Sequence, residues 1–321
     1  MKRKINRVGQ NTLTVSLPSK WAKKHNLHAG DEIELIEEEN KIELKLGKEI
    51  VKKSKKISLN IDGMDNSCVF RYVFGAYRKG FTEIKITFSD ENIPINKSSS
   101  KAFNYEGMNT IKILDLIEKI ISRGLVGMDV IEVNSDSVIL KEIAETKVED
   151  FDSSLKRLYY ILKKFCNDLF DYFQDKEIYE NVFYSEVNAN KFSDYCIRLQ
   201  NKIDYDDIHD RVTTNNIVRL LELFGDILLE ITNIKKHNED FKPSKETLDY
   251  FKELCIFLDK FYVFMFSYDM NNISGFYNHW KLIRSKQSKT KDALNARAQA
   301  LTFMCAQTIA DVAQLVIETK L

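Results

Sequence analysis

Seven lysines and arginines, Lys2, Arg3, Lys4, Arg7, Lys20, Lys23 and Lys24, stand in the first 24 residues with no aspartate or glutamate among them, in a chain whose 48 basic and 48 acidic residues cancel. A basic face in a neutral protein is the pattern of a polyanion site. An arginine fork suits bidentate contact with a base edge or phosphate, whereas a lysine acts as a point charge. Between residues 31 and 39 the sign reverses, with six acids in nine positions, so the two charges are segregated within one short stretch. A second pattern lies far downstream. Glu222 and Asp226 are four residues apart, which places both carboxylates on one face of a helix. Asn215, Arg219, Glu222, Asp226, Glu230 and Asn233 form a polar stripe opposite Leu220, Phe224, Ile227, Ile231 and Ile234, which an ordinary solvated helix surface explains, ahead of a metal site or a protein-docking face. Asp311 shares a helical face with Met304, Thr308 and Leu315, where a carboxylate requires a hydrogen-bond partner or a cation. The histidines, His25, His28, His209, His237 and His279, show no paired ligand spacing, and there is no phosphate-cradling glycine loop or nucleophile elbow. The expectation is a protein that is not an enzyme.

These residues must be held by elements that the rest of the chain supplies. At 321 residues with 44% apolar side chains, the chain is long enough for two or three packed domains. Residues 4–8 and 13–17 alternate as strands around a turn at Gly9, Gln10 and Asn11, with Leu13, Val15 and Leu17 on one face. Pro18 ends the second strand, Ser19 is suited to cap a short helix over residues 20–26, and residues 33–36 and 42–46 form a hairpin. So few strands cannot bury a core alone, and a partner or a second copy is expected to complete them.

The lysine-rich run 47–56 reads as a linker or strand entry. Residues 56–61, 81–88, 129–133 and 138–143 alternate as strands between helical patterns at 66–79 and 109–122, which makes 55–145 a small α/β domain, with a polar loop at 90–100. From residue 146 the composition turns helical. Spans at 148–175, 177–203, 205–237, 247–269, 273–285 and 290–320 read as a long up-and-down bundle of two three-helix units. Apolar runs of only a few residues and the lack of a leader pattern predict no membrane span and a cytoplasmic protein. Cys68, Cys166, Cys196, Cys255 and Cys305 lack any C-x-x-C pairing and are expected to be reduced and buried.

Val8-Gly9, Val15-Ser16-Leu17-Pro18 and Trp21, followed by Leu27, Gly30, Asp31, Glu32 and Ile33, resemble the SpoVT/AbrB swapped-hairpin family over about 45 residues. That resemblance implies an intertwined homodimer, each chain giving half of a β-barrel, with paired basic segments on DNA. Together with the charge pattern it assigns Arg3, Lys4, Arg7, Lys20, Lys23 and Lys24 to phosphate or base contacts, and Asn11 and Thr12 to polar contacts from the loop. Gly75-Ala76-Tyr77, Gly80-Phe81 and the 125–131 stretch are similar to the middle of archaeal phosphate-uptake regulators that join such a head to a PhoU-like tail.

In the tail, Leu221-Glu222-Leu223-Phe224-Gly225-Asp226 resembles the PhoU signature, and Thr308-Ile309-Ala310-Asp311-Val312-Ala313 a second copy of it. In that family, acids spaced E-x-x-x-D hold metal ions, so the resemblance implies a divalent or ferric ion near Glu222, Asp226 and Asp311. Three departures are visible: Gln307 replaces an acid, Glu230 stands where the family often has Asn, and Glu186 is followed four residues on by Asn190.

The reading is therefore a multidomain α+β chain: head 1–47, α/β domain 55–145 and helical bundle 146–321. Its expected function is a homodimeric DNA-binding transcriptional regulator of phosphate uptake, with the tail sensing through a phosphate transporter or its regulatory protein. The alternatives are a signalling adaptor that docks on such a transporter and uses the head only to dimerise, and an antitoxin-like DNA binder that neutralises a partner enzyme.

Overall fold

The computed structural model describes residues 3–9, 12–38, 41–46, 55–96, 105, 107–144, 147, 149–174, 179–203, 208–238, 240–286 and 290–320. It divides into two compact units, residues 1–53 and 54–321. Asn11 and most of the 47–56 linker lie outside the described residues.

In the first unit, β1 (Ile5–Val8) pairs antiparallel with β2 (Thr12–Val15), Ile5 opposite Val15 and Arg7 opposite Leu13. Gly9 takes φ +71° at the turn, a left-handed conformation that a side chain would strain. The short helix α1 (Ser19–Lys24) follows, with Pro18 at its N-cap in extended conformation and no side-chain cap bond. Ser19 is thus the first helical residue rather than the cap, and Pro18, with its fixed φ, sets the entry angle. β3 (Ile33–Glu38) and β4 (Lys41–Leu46) form a second antiparallel ladder. The two ladders are separate two-stranded sheets, and no barrel closes among the described residues.

The second unit opens with β5 (Lys56–Asn60), α2 (Asn66–Arg78) and β6 (Glu83–Thr87). It continues through β7 (Asn92–Pro94), β8 (Thr110–Lys112), α3 (Ile113–Gly124), β9 (Met128–Val133) and β10 (Ser137–Glu142). The main sheet has the order β5-β6-β10-β9, with β5 parallel to β6 and the other neighbours antiparallel. Alternation places Ile84, Ile86, Val138 and Leu140 in one buried face, packed with Val73, Tyr77, Leu116 and Ile120 of the two helices. The stretch expected as loop at 90–100 holds a strand, and the helix expected from residue 109 begins at Ile113. The cause is the β7–β8 ribbon, in which Ile93 stands opposite Ile111 and both are buried.

The remaining elements are helices: α4 (Asp150–Phe173), α5 (Tyr179–Gln200), α6 (Ile208–Lys236), α7 (Lys245–Phe266), α8 (Ile273–Ser285) and α9 (Ala293–Glu318). Their apolar stripes meet in one continuous core that includes Phe165, Leu228, Phe257 and Ile309, so the six helices are not two independent three-helix units. α9 is long and apolar enough, by length and composition, to cross a membrane, which the sequence reading did not expect. Half of that apolar window is buried, where α9 packs on α6 and α7. Helix starts carry side-chain caps where the sequence offers them: Asp65 accepts from the Cys68 amide, Ser244 from Thr247 and Asp292 from Asn295. Cys166, Cys196 and Cys305 are buried as expected, but Cys68 is exposed and Cys255 half-buried.

The α/β layer and the bundle keep separate cores yet belong to one compact unit, because α2 and α3 both pack on α5. Arg198 of α5 has no exposed surface. Its Nη1 donates to the carbonyls of Tyr77 (2.8 Å) and Phe81 (3.0 Å), its guanidinium lies 4.6 Å from the Tyr77 ring centre, and Nη2 is 3.3 Å from Glu142. Lys202 adds a 2.6 Å ion pair to the same Glu142.

Candidate functional site

The head carries its cations in the open. Arg3 and Lys4 precede β1, Arg7 lies on β1, and Lys20, Lys23 and Lys24 lie on α1, all exposed. Lys20 is three and four residues from the other two, so the three ammonium groups share one side of that helix. Lys23 and Lys24 occupy its last turn, where the carbonyl ends favour positive charge. Among the described residues none of these six cations is paired with an acid, which leaves their charge directed at solvent. Thr12 opens β2 and is exposed.

Cross-strand partners share a face. Ile5, Leu13 and Val15 therefore lie together beside Arg7, and they are 70%, 63% and 55% exposed. An apolar hairpin face left in water is unstable by itself, and a two-stranded ribbon needs something to pack against.

The tail brings Glu222 and Asp226 together but places Asp311 elsewhere. The first two line a cavity of about 280 Å³ with Phe70, Phe74 and Arg78 of α2, Arg123 of α3, and Glu186, Asn190, Lys191 and Asp194 of α5. Glu222 accepts from Arg219 at 3.0 Å and from Ser193 at 3.4 Å. Asp194 is ion-paired with Arg78, and Glu186 accepts from Asn190 at 2.7 Å.

Burial, with the Asp226 charge adding to it against the opposing pull of Arg123, raises the Glu186 carboxyl to about 7. Burial raises Asp194 to about 6 against the hydrogen bond from Arg78. Asp226 is raised to about 6 by burial and by Glu222 and Glu230. Asp311 is exposed on α9, accepts from Gln307 at 2.8 Å and lines a different concavity with Asn216, Arg219, Leu220, Gln314 and Leu315. The expected need for a partner or a cation is lifted by that exposure, and the Gln307 contact is a surface hydrogen bond one turn away.

Glu222, Asp226 and Asp311 do not converge as a donor set. Among the described residues no three His, Cys, Asp or Glu side chains converge in a way that could hold a metal ion. Two of the cleft carboxylates are paired with arginines instead, Asp194 with Arg78 and Glu222 with Arg219. Arg78, Arg123, Asp194 and Arg198 were not singled out from sequence. The repeated four-residue spacing Glu186-Asn190-Asp194, matching Glu222-Asp226-Glu230 on the next helix, was the available signal for Asp194.

The first unit thus belongs to the class of small strand–helix–hairpin modules that present a basic edge and an apolar face needing a partner. Residues 7–57 match the family model described as antidote-toxin recognition MazE, bacterial antitoxin. The head is a MazE/AbrB-like domain. The match covers Arg7, Thr12, Lys20, Lys23 and Lys24, starts after Arg3 and Lys4, and reaches the first residues of β5. It does not extend to the α/β helices or the bundle, on which the PhoU-like resemblance rests. No curated protein and no solved structure matches the chain.

Proposed function

We propose that this protein is a homodimeric DNA-binding transcriptional regulator. The observation that carries the reading is the set of six unpaired cations on a MazE/AbrB-like head whose hairpin leaves Ile5, Leu13 and Val15 exposed. A second copy would cover that apolar face and double the positive charge presented to a duplex, turning weak, salt-sensitive attraction into a site. Arg3 and Arg7 suit base edges, and Lys4, Lys20, Lys23 and Lys24 suit phosphates, with Asn11 and Thr12 as polar contacts. On the PhoU-like resemblance alone, the tail is assigned to sensing phosphate status through a transporter or its regulatory protein in the cytoplasm. A change in tail occupancy would then bias the spacing of the two basic surfaces.

The test is a salt titration of DNA binding by the intact protein and by a triple variant, Arg3→Gln, Lys4→Gln and Arg7→Gln. The logarithmic salt slope should fall by about two, each of the two chains losing the phosphate contact of Lys4, and affinity should fall further with the loss of the Arg3 and Arg7 base contacts. Equal affinities and equal slopes would remove the DNA-binding reading and leave the adaptor. The family match itself favours a second reading, an antitoxin-type regulator that also sequesters a partner protein. Co-purification of a toxic partner enzyme whose activity the full chain suppresses would support it.

A further inference from the structure

α8 doubles back against α7, and the two helices leave a slot of about 300 Å³ lined by Lys260, Val263, Phe264, Asn272, Gly275 and Phe276. Its floor is aromatic: the Phe264 and Phe276 rings stack 4.8 Å apart and both side chains are buried. Val263 forms a wall and is half exposed, an apolar side chain that the described residues leave partly uncovered.

Gly275 lies in the first turns of α8, where glycine costs about 1 kcal/mol of helix propensity relative to alanine. It has no positive φ, and a Cβ placed on it would meet nothing within 4 Å. Neither backbone conformation nor close packing within the chain therefore calls for glycine there. What the missing side chain does is keep the slot open.

The mouth of the slot carries one organised cation. Lys260 Nζ lies 2.8 Å from His279 Nδ1. Nε2 of the same imidazole is 3.4 Å from Glu253, and Lys286 pairs with the other oxygen of that carboxylate at 2.8 Å. The ring is stacked parallel on Phe257 at 5.7 Å. Burial, together with the Lys260 charge, holds His279 below its ordinary value, so Nδ1 is free to accept from the ammonium. A neutral, clamped imidazole positions Lys260 without neutralising it, and two lysines against one glutamate leave the mouth with excess positive charge.

The geometry points to this slot as a binding site for a small amphipathic carboxylate, its apolar chain over Gly275 between Val263 and the phenylalanine floor and its carboxylate on Lys260. A slot of this size with an aromatic lining and one placed polar group has the anatomy of a small-ligand site, and a charge-assisted bond from a held ammonium supplies orientation. The inference is independent of the DNA-binding reading.

The experiment is calorimetric titration of the full-length protein with octanoate, with octanol and with inorganic phosphate. Octanoate should bind saturably at one site per chain, octanol about tenfold or more weakly, and phosphate not at all. Lys260→Gln should weaken octanoate about tenfold and leave octanol unchanged. Gly275→Leu should abolish both while preserving the circular dichroism spectrum, since its side chain enters open space. Absence of saturable octanoate binding at millimolar concentration overturns the proposal, as it would if another protein segment covered the slot. Equal binding of octanoate and octanol overturns the role of Lys260. Should Gly275→Leu not fold, the Lys260→Gln comparison decides alone.

Discussion

Arg198 shows how a buried charge is made tolerable. It is removed from water completely, but two carbonyls, an aromatic face and Glu142 receive it. Replacing it by leucine leaves the Tyr77 and Phe81 carbonyls without that donor and Glu142 without that counter-charge, and breaking a buried pair costs about 3–5 kcal/mol. Urea unfolding should show that loss as a lower midpoint, and a wild-type midpoint would mean the guanidinium contributes nothing net.

The carboxyls of the α5–α6 cleft make the opposite prediction for pH. Glu186, Asp194 and Asp226 hold protons more tightly folded than unfolded, with folded values of about 7, 6 and 6 against ordinary values of 4.5, 3.8 and 3.8. Between roughly pH 4 and 7 the folded state thus binds more protons, and stability falls as pH rises through that window. For Glu186 alone the loss is on the order of 2–3 kcal/mol. Glu186→Gln should flatten the dependence of the melting temperature on pH between 5 and 8, and an unchanged slope would assign the effect elsewhere.

At the level of elements, two glycines set how closely helices approach. Gly225, inside the motif that resembles PhoU, lies where a Cβ would stand 3.2 Å from Leu162 and 3.8 Å from Ala189, so it admits α4 and α5 against α6. Gly124 closes α3, and a Cβ there would meet the Phe74 ring at 2.5 Å. Phe74 is nearly fully buried and stacked on Phe70 at 4.3 Å, which leaves it little room to turn. Gly124→Ala gains little propensity at a helix end, and overpacking should win by about 1–3 kcal/mol. A thermal melt lowered by several degrees is the expected readout. The β1–β2 hairpin is limited by water rather than crowding. Val15→Asp should charge the face that a second head would cover, and sedimentation should then find the variant monomeric and the unsubstituted chain in the proposed dimer; equal masses would overturn the dimer.

For the whole molecule, the division at residue 53 separates a small unit with an exposed apolar face from a large unit with two cores of its own. A fragment starting at Ser54 should unfold cooperatively with the midpoint of the bundle in the intact chain, and it should show no salt-dependent DNA binding. Failure of that fragment to fold would show that the head contributes to the stability of the tail.

Much of this arrangement was legible in local sequence because its causes are local. Period-two alternation marked strands at 56–61, 81–88 and 138–143, where β5, β6 and β10 stand with slightly different ends, and the three-and-four spacing of Ile113, Leu116, Ile117 and Ile120 marked the helix that became α3. Six helical spans were visible, and the Val8–Trp21 pattern pointed to the kind of head that the family match supports. What local sequence did not contain was convergence. Arg78, Arg123, Glu186 and Asp226 come from four helices spread over about half the chain, and only the packing of α2 and α3 on α5 makes them neighbours. Likewise, the polar stripe on α6 reads as surface because periodicity reports which face is polar, not what stands opposite. The segregated charges of the first residues are a property of the chain itself; whether they stay free depends on tertiary structure, and among the described residues none of the six is paired with an acid.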